Sequence, residues 1–265
     1  MILTDIHRIS TKRRPDEGNK QMAPQVDLNG VLTWYDEQGS GPPVVLLHGG
    51  LTDSRDFQGN LDALARHHHV YLPERRGHGH TPDVAGPLTI ESMGRDTATF
   101  LSEVVSEPAH LVGYSAGATV ALHVAVHHPG LVRRLVVISG AFHPDGMTIK
   151  PEAGRTPPAP LLEAYAEVSP DGAAHFPEVI AKAAEAANQP FGIDEDALVR
   201  LECPTMVIVG DRDIVSIEHT TTMFQALKEA RLAVVPNASH LLLHEHPGQV
   251  TTLVQEFLDE AHYNH

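Results

Sequence analysis

The feature that most constrains the fold is a series of short apolar runs, each bounded by turn residues and separated from the next by a helical pattern. The runs are rich in Val, Leu and Ile, which is typical of strands buried on both faces of a parallel sheet. Strand and helix in alternation predict right-handed crossovers and a doubly wound, mostly parallel α/β sheet. The predicted buried strands are 43–48, 69–74, 110–114, 134–139, 205–210 and 231–236, and the helical patterns lie near 57–66, 89–106, 116–128, 218–229 and 247–261.

Two segments depart from this rhythm. Residues 31–37 (VLTWYDE) alternate between apolar and polar side chains and predict an antiparallel edge strand. Residues 141–201 contain no convincing strand, and a structureless loop of that length does not suit a compact domain. Their helical stretches, LLEAYAEV and FPEVIAKAAEAANQ, indicate an inserted helical cap. We therefore predict a core over 25–140 and 202–265, a cap over 141–201 and a polar N-terminal extension over 1–24.

Composition excludes several classes of partner. The net charge is −15, with 19 Lys and Arg against 34 Asp and Glu. A nucleic-acid binder needs a basic surface, so we expect no nucleic-acid partner, and the same charge disfavours an anionic membrane. No apolar run approaches the ~20 residues that span a bilayer, and we identify no signal peptide. Cys203 is the single cysteine, so we expect a buried thiol, no internal disulfide and a cytoplasmic protein.

The pentapeptide GYSAG, residues 113–117, lies between a predicted strand and a helix. Gly-x-Ser-x-Gly at such a junction predicts a nucleophile elbow, a strained turn that exposes the serine hydroxyl at the carboxyl edge of the sheet. Glycines are needed there because larger side chains would collide with the backbone across the turn. Ser115 is therefore the candidate nucleophile, and the alternative is a serine that only caps the helix.

A serine hydroxyl becomes an effective nucleophile only when a base takes its proton. His240 is the candidate base, since it lies in a loop after the last predicted strand and before the last helix. Asp211 and Asp213 follow the preceding strand; one of them orients the imidazole while the other shapes the turn. The order Ser, Asp, His along the chain fits a catalytic triad. The histidine run 67–69 has no accompanying carboxylate or cysteine cluster, and we predict no metal site.

A tetrahedral intermediate also needs hydrogen-bond donors for its oxyanion. The sequence HGGL, residues 48–51, ends a predicted strand, and its glycines allow a backbone amide to turn toward the site. We predict that the amides of Gly50 and Ala116 form the oxyanion hole. Leu51 is the alternative donor if the loop is shifted by one residue, and a plain glycine turn is the structural alternative.

These motifs together resemble the α/β-hydrolase superfamily over about residues 25 to 261. In families of this type the serine of the elbow is the nucleophile and the second aspartate of GDxD is the acid, which favours Asp213. The RGHG turn is given no catalytic role. One departure is Glu74, where relatives more often carry aspartate. The matching pieces are HGG at 48–50, RRGHGHT at 75–81, GYSAG at 113–117, GDRD at 210–213 and SH at 239–240.

The resemblance implies a carboxylesterase-like serine hydrolase that forms an acyl-enzyme and needs no cofactor. Residues 143–200 contain four Lys or Arg and ten Asp or Glu, so a polyanionic substrate such as an acyl-CoA would be repelled there. We expect a small or medium, mainly uncharged ester as the small-molecule substrate. The candidate substrate contacts are Leu51, Tyr114, Phe142, Tyr165 and Phe176.

Other functions can use the same triad. A carbon–carbon bond hydrolase, a lactonase and a cofactor-free haloperoxidase are alternatives within enzymes, and a small-molecule receptor with slow turnover is an alternative from another class. A serine nucleophile disfavours dehalogenase and epoxide-hydrolase chemistry, in which a carboxylate attacks. The edge strand 31–37 or the cap could support a homodimer.

Overall fold

The computed structural model describes residues 24–260. Except for Pro24, the predicted extension over 1–24 lies outside the described residues. Within residues 24–260, eight strands form one sheet in the order β1-β2-β4-β3-β5-β6-β7-β8. The strands are β1 (Gln25–Leu28), β2 (Val31–Gly39), β3 (Pro43–Leu47), β4 (His69–Pro73), β5 (Ala109–Tyr114), β6 (Val132–Ile138), β7 (Thr205–Arg212) and β8 (Ala230–Ser239).

The predicted doubly wound sheet is confirmed. Strands β3 to β8 pair in parallel, and the two antiparallel pairings are β1 with β2 and β2 with β4. Every residue of β3 and of β5 is buried, as expected for central strands covered on both faces. The residues of β3 alternate between two hydrophobic clusters: Val45 and Leu47 join one, and Val44 and Leu46 join the other.

Helices cover both faces of this sheet. Helices α1, α2 and α6 supply Met93, Val120 and Met223 to the cluster on one face, whereas α8 supplies Val254 and Phe257 to the cluster on the other. The α-helices are α1 (Ile90–Phe100), α2 (Ala116–His127), α3 (Ala159–Val168), α4 (Phe176–Ala186), α5 (Glu195–Arg200), α6 (Ile217–Ala226), α7 (Leu242–Glu245) and α8 (Pro247–Asp259). Among residues 24–260, no helix combines the length and apolar character that crossing a bilayer requires.

Within the predicted core, the structure differs from the sequence predictions at two elements. The segment 31–37 is antiparallel but is not at the edge, because the four-residue strand β1 pairs along its outer side. Its four residues alternate between exposed polar and more buried apolar side chains, but so short an alternation is a weak signal for a strand. The helical pattern near 57–66 corresponds to two separate 3₁₀ turns, Ser54–Phe57 and Leu61–Arg66, the second capped by the Asn60 side chain.

The inserted segment packs in two ways. Helices α3 and α4 form a small hydrophobic cluster of their own with Leu88 of the core, in which the rings of Tyr165 and Phe176 stack 4.4 Å apart. By contrast, Phe191 and Leu198, around α5, join the main core cluster. The part of the predicted cap that stands apart from the core is therefore α3 and α4.

Two charged side chains of the core, Arg55 and Asp83, contact the helical insertion that contains α3 and α4. Nη1 of Arg55 lies 2.7 Å from a carboxylate oxygen of Glu167 at the end of α3. The carboxylate of Asp83, whose side chain is only 4% exposed, lies 2.6 Å from Nζ of Lys182 and 2.8 Å from Nε2 of His175. These contacts position the helical insertion over the carboxyl edge of the sheet.

Candidate active site

Ser115 lies at the sharp turn from β5 into α2. Its backbone has φ 54° and ψ −121°, a strained conformation for a non-glycine residue. A Cβ at Gly117 would overlap the carbonyl oxygen of Leu47, and one at Gly113 would overlap the backbone of Ala118. The two glycines thus allow the turn to pack against β3 and α2, which leaves the Ser115 side chain projecting from the sheet.

The structure brings the three predicted triad residues together. Oγ of Ser115 lies 2.8 Å from Nε2 of His240, and Nδ1 of His240 lies 2.7 Å from Oδ1 of Asp213. Because a carboxylate can only accept, Nδ1 carries a proton and Nε2 accepts the hydrogen bond of the serine hydroxyl. This is the tautomer that a general base for Ser115 requires.

Asp213 is held as a carboxylate by its surroundings. Burial acts to raise the pKa of Asp213, but the hydrogen bond and charge of His240 and the hydrogen bond of Ser139 bring this pKa below its ordinary value. Oγ of Ser139 donates to Oδ2 of Asp213 at 2.5 Å, and the amide of Val215 donates to Oδ1 at 3.0 Å. Asp211 has a different partner, since its Oδ1 accepts from the amide of Ala238 at 3.1 Å.

Tyr114 contacts both the backbone and the ring of His240. The hydroxyl of Tyr114 donates to the carbonyl of His240 at 2.7 Å, and the two rings stack with centroids 5.6 Å apart. Burial, followed by the charges of Asp56 and Asp213, raises the pKa of Tyr114 well above its ordinary value, so its hydroxyl keeps the proton that it donates. Ser139 and Tyr114 support the triad through hydrogen bonds that local sequence patterns do not show.

The predicted oxyanion donors are adjacent. A Cβ built on Gly50 would lie 3.3 Å from Cβ of Ala116, so the two backbones approach each other closely. Ala116 is the first residue of α2, where an amide has no acceptor within the helix. Leu51, the alternative donor, has φ 63°, so the loop turns sharply immediately after Gly50.

The candidate substrate contacts fall into different places. Leu51 packs against the cluster that contains Tyr165 and Phe176. Phe142 lies instead in the main core cluster, where its ring stacks on His219 with centroids 4.1 Å apart. Leu51, Tyr165 and Phe176 thus belong to one hydrophobic cluster, in which Tyr165 and Phe176 are almost completely buried, while Phe142 lies outside it.

Two further sequence expectations concern metals and the thiol. In the part of the chain that the structure describes, no group of three or more His, Cys, Asp or Glu side chains is arranged to hold a metal ion. Cys203 is partly buried, and burial raises its pKa to about 11, so the thiol stays protonated and unreactive.

The sequence matches a known protein family. Residues 44–252 match the alpha/beta hydrolase family, which is most of the chain. The chain therefore belongs to the alpha/beta hydrolase family, as the sequence motifs predicted.

The similar proteins include several hydrolases. The (E)-2-((N-methylformamido)methylene)succinate hydrolase of Acinetobacter baylyi is 23% identical over 257 residues, covering 87% of this chain and 95% of that protein. Among solved structures, the enol-lactonase of Burkholderia xenovorans has a TM-score of 0.73 at 24% identity and covers 89% of this chain and all of its own. The meta-cleavage product hydrolase CumD of Pseudomonas fluorescens has a TM-score of 0.74 at 21% identity, covering 89% of this chain and 97% of its own. The similarity to these two solved structures shows that the chain shares their fold.

Proposed function

We propose that this protein is a serine hydrolase that cleaves an ester-type bond through an acyl-enzyme. The observation that carries the proposal is the continuous hydrogen-bonded chain from Ser115 through His240 to Asp213, with distances of 2.8 and 2.7 Å. Such a chain gives a serine hydroxyl its general base and gives that base a fixed orientation. The membership in a family of hydrolases supports the same reaction class.

The proposed mechanism has two half-reactions. His240 takes the proton of Ser115 as the serine oxygen attacks the substrate carbonyl, and Asp213 stabilises the imidazolium that forms. The amides of Gly50 and Ala116 receive the developing oxyanion. His240 then protonates the leaving alcohol, and an acyl-enzyme remains on Ser115. Water activated by His240 attacks this ester, and collapse of the second intermediate releases the acid and restores the serine.

We propose a small or medium, mainly uncharged substrate. The ten acidic and four basic residues of 143–200 disfavour a polyanionic substrate. Leu51, which follows the proposed oxyanion donor Gly50, packs against a hydrophobic cluster that contains Tyr165 and Phe176, and this apolar surrounding favours an apolar acyl or alkyl group there.

Lactone hydrolysis is a second candidate, because one of the similar structures is an enol-lactonase. A lactone is an internal ester, so the same residues would act in the same order. The difference is that the leaving alcohol stays attached to the acyl group. A panel of open-chain esters and lactones of equal carbon number therefore separates the two candidates by kcat/KM.

A covalent probe and the nucleophile variant test the reaction class. Wild type should react with a fluorophosphonate and turn over p-nitrophenyl esters, and Ser115→Ala should lose both activities. Ser102→Ala is the matched control, since Ser102 is an exposed serine on the turn that follows α1. Labelling that persists in Ser115→Ala would contradict the assignment of the nucleophile. Labelling of wild type without turnover of any ester or lactone would favour a receptor.

A further inference from the structure

The RRGHG turn contains a buried cation directly beneath the oxyanion loop. Arg75 follows β4, and the residue is only 6% exposed. Its Nη2 donates to the carbonyl oxygen of Gly49 at 2.7 Å and also to that of His48. Burial lowers the pKa of Arg75 to about 10, which leaves the guanidinium protonated near neutral pH.

Arg75 differs in this respect from the arginine beside it. Arg76 forms a bidentate pair with the carboxylate of Asp96, at 2.7 and 2.9 Å. Among residues 24–260, by contrast, no carboxylate lies within ion-pair distance of Arg75, and its Nε and Nη1 have no hydrogen-bond partner. A buried charge is costly unless it is paired, so a cation whose hydrogen bonds go to two loop carbonyls indicates a role in that loop.

His48 reinforces the same contact. Burial, together with the charges of Arg75 and His78, lowers the pKa of His48 well below its ordinary value, so the ring is neutral. Its Nε2 accepts from the amide of Arg75 at 3.1 Å, so Nδ1 carries the hydrogen. Nδ1 lies 2.8 Å from the carbonyl oxygen of Gly49 and donates to it. This oxygen therefore accepts two hydrogen bonds, one of them from a cation.

Because a peptide bond is planar, this contact at the Gly49 carbonyl also fixes the direction of the Gly50 amide. In a trans peptide the C=O of one residue and the N–H of the next point in opposite directions. When the carbonyl of Gly49 points at Arg75 and His48, the amide of Gly50 must point away from them. Neither Gly49 nor Gly50 has a side chain to hinder a flip of this peptide. On the other side of Gly49, its amide donates to Oδ2 of Asp56 at 2.8 Å.

We propose that Arg75 is a positioning residue of the oxyanion hole: it holds the Gly49–Gly50 peptide in the orientation in which the Gly50 amide faces the substrate. This inference rests on the proposed hydrolase activity. It gives Arg75 a role in that activity, although the sequence analysis assigned no catalytic role to the RGHG turn beside it. The charge-assisted hydrogen bond on the carbonyl also polarises the peptide, which strengthens the Gly50 amide as a donor.

Three variants test the proposal. Arg75→Met removes the donors while filling much of the space, Arg75→Lys keeps the charge with a different geometry, and Arg76→Met is the matched control in the same turn. Each is compared with wild type for kcat and KM on a p-nitrophenyl ester, for inhibition by a trifluoromethyl ketone, and for Tm. The ketone is attacked by Ser115 to give a hemiketal oxyanion, so its affinity reports on the oxyanion hole.

We expect Arg75→Met to lower kcat by about 30- to 300-fold, approaching the effect of losing one oxyanion donor. KM should change little, and affinity for the ketone should fall by a similar factor. Arg75→Lys should recover part of the lost kcat and part of the lost ketone affinity. Arg76→Met should lower Tm and leave kcat and ketone affinity close to those of wild type. Equal losses of kcat and of ketone affinity in Arg75→Met and Arg76→Met would overturn the proposal. If Arg75→Met does not fold, Arg75→Lys with kcat and ketone affinity equal to wild type would overturn it.

A crystal structure of Arg75→Met, or of Arg75→Lys if the first does not fold, tests the role of Arg75 independently of the proposed hydrolase activity. The Gly49–Gly50 peptide should be flipped or present in two orientations in Arg75→Met, and at least partly so in Arg75→Lys. An unchanged peptide would overturn the proposal whether or not the protein is active. Wild type without labelling or turnover would instead contradict the hydrolase, while the orientation of this peptide would still decide the role of Arg75.

Discussion

Three of the six non-glycine residues with left-handed backbone among residues 24–260 lie at the candidate site. Ser115, Ser139 and Leu51 have φ values of 54°, 52° and 63°. Such conformations cost about 1–3 kcal/mol each and persist only where the surrounding structure over-determines them. At Ser139 that structure is visible: its amide donates to the carbonyl of Ile208 at 2.8 Å, and its hydroxyl donates to Asp213 at 2.5 Å. The strained backbone at Ser139 thus aims a hydroxyl at the acid of the triad.

Replacing Ser139 separates the role of its hydroxyl from the cost of its backbone. Ser139→Ala and Ser139→Gly both remove the donor to Asp213, and each should lower kcat by about 10- to 100-fold, since a hydrogen bond to a charged group contributes about 1.5–3 kcal/mol. Glycine tolerates this φ, so Ser139→Gly should be about 1 kcal/mol more stable than Ser139→Ala. Ester turnover and thermal unfolding measure the two effects. Wild-type kcat in both variants would show that this hydrogen bond does not serve the triad.

The two neighbouring aspartates should respond very differently to the same substitution. Asp213→Asn disturbs the tautomer of His240 and should lower kcat by about 10³- to 10⁴-fold. Asp211 accepts from the amide of Ala238 and has no hydrogen bond to the imidazole, so Asp211→Asn should change stability little and leave kcat within a few-fold. Steady-state kinetics on one ester compares them directly. A larger loss of kcat in Asp211→Asn would make Asp211 the acid.

At the scale of elements, strand and helix positions follow well from hydrophobic pattern. The predicted strand 43–48 corresponds to Pro43–Leu47 and 69–74 to His69–Pro73, because buried runs between turn residues leave little alternative to a strand. The helix α5 was not predicted. It has only six residues, about one and a half turns, and it is buried by contacts with α2 and α6, which are distant in the sequence.

The candidate site shows where prediction from sequence reaches its limit. Ser115 and His240 could be predicted because each occupies a recognisable position between a strand and a helix. Position alone left Asp211 and Asp213 open as the acid, and the resemblance to a known family favoured Asp213. Ser139 and Arg75 could not, because their roles lie in contacts across 74 residues to Asp213 and 26 residues to Gly49. No local pattern encodes such contacts, and they become visible only once the sheet has brought its strand ends together.

The attachment of α3 and α4 to the core is itself testable. Burial acts against the charge of Asp83, but Lys182 and His175 lower the pKa of Asp83 below its ordinary value of 3.8. A carboxyl group with a lowered pKa contributes stability that is complete above 3.8 and is lost as the pH falls through the folded-state value. Asp83→Asn should therefore be less stable than wild type at neutral pH, with a difference that shrinks below about pH 4.

Thermal unfolding as a function of pH measures this difference, and limited proteolysis locates it. The first cuts in Asp83→Asn should fall within α3, α4 or the loop between them, since these helices lose an anchor. Asp145→Asn is the control, because Asp145 is an exposed aspartate whose ring partner, His143, is also exposed. A stability difference that is constant with pH, or one equal to that of the control, would contradict the role of Asp83.

At the scale of the whole molecule, charge is distributed in a way that bears on the substrate. The chain carries a net charge of −15, and residues 143–200 contain more than twice as many acidic as basic side chains. Lys182, one of the basic residues there, is already paired with Asp83. A polyanionic ligand approaching Ser115 past α3 and α4 therefore meets a negative field that its neutral counterpart does not.

Salt dependence measures this field. At low ionic strength, kcat/KM for butyryl-CoA should be far below that for p-nitrophenyl butyrate and should rise as NaCl is added, because salt screens exposed charges beyond about 10 Å at 0.1 M. The neutral ester should change little over the same range. Glu163 lies at an exposed position of α3, and Glu163→Lys should raise kcat/KM for butyryl-CoA at low salt more than Glu163→Gln does. Neither substitution should alter kcat/KM for the neutral ester. If butyryl-CoA were the better substrate and lost activity with salt, a local cationic site would have to outweigh the net charge, and the preference for uncharged substrates would be wrong.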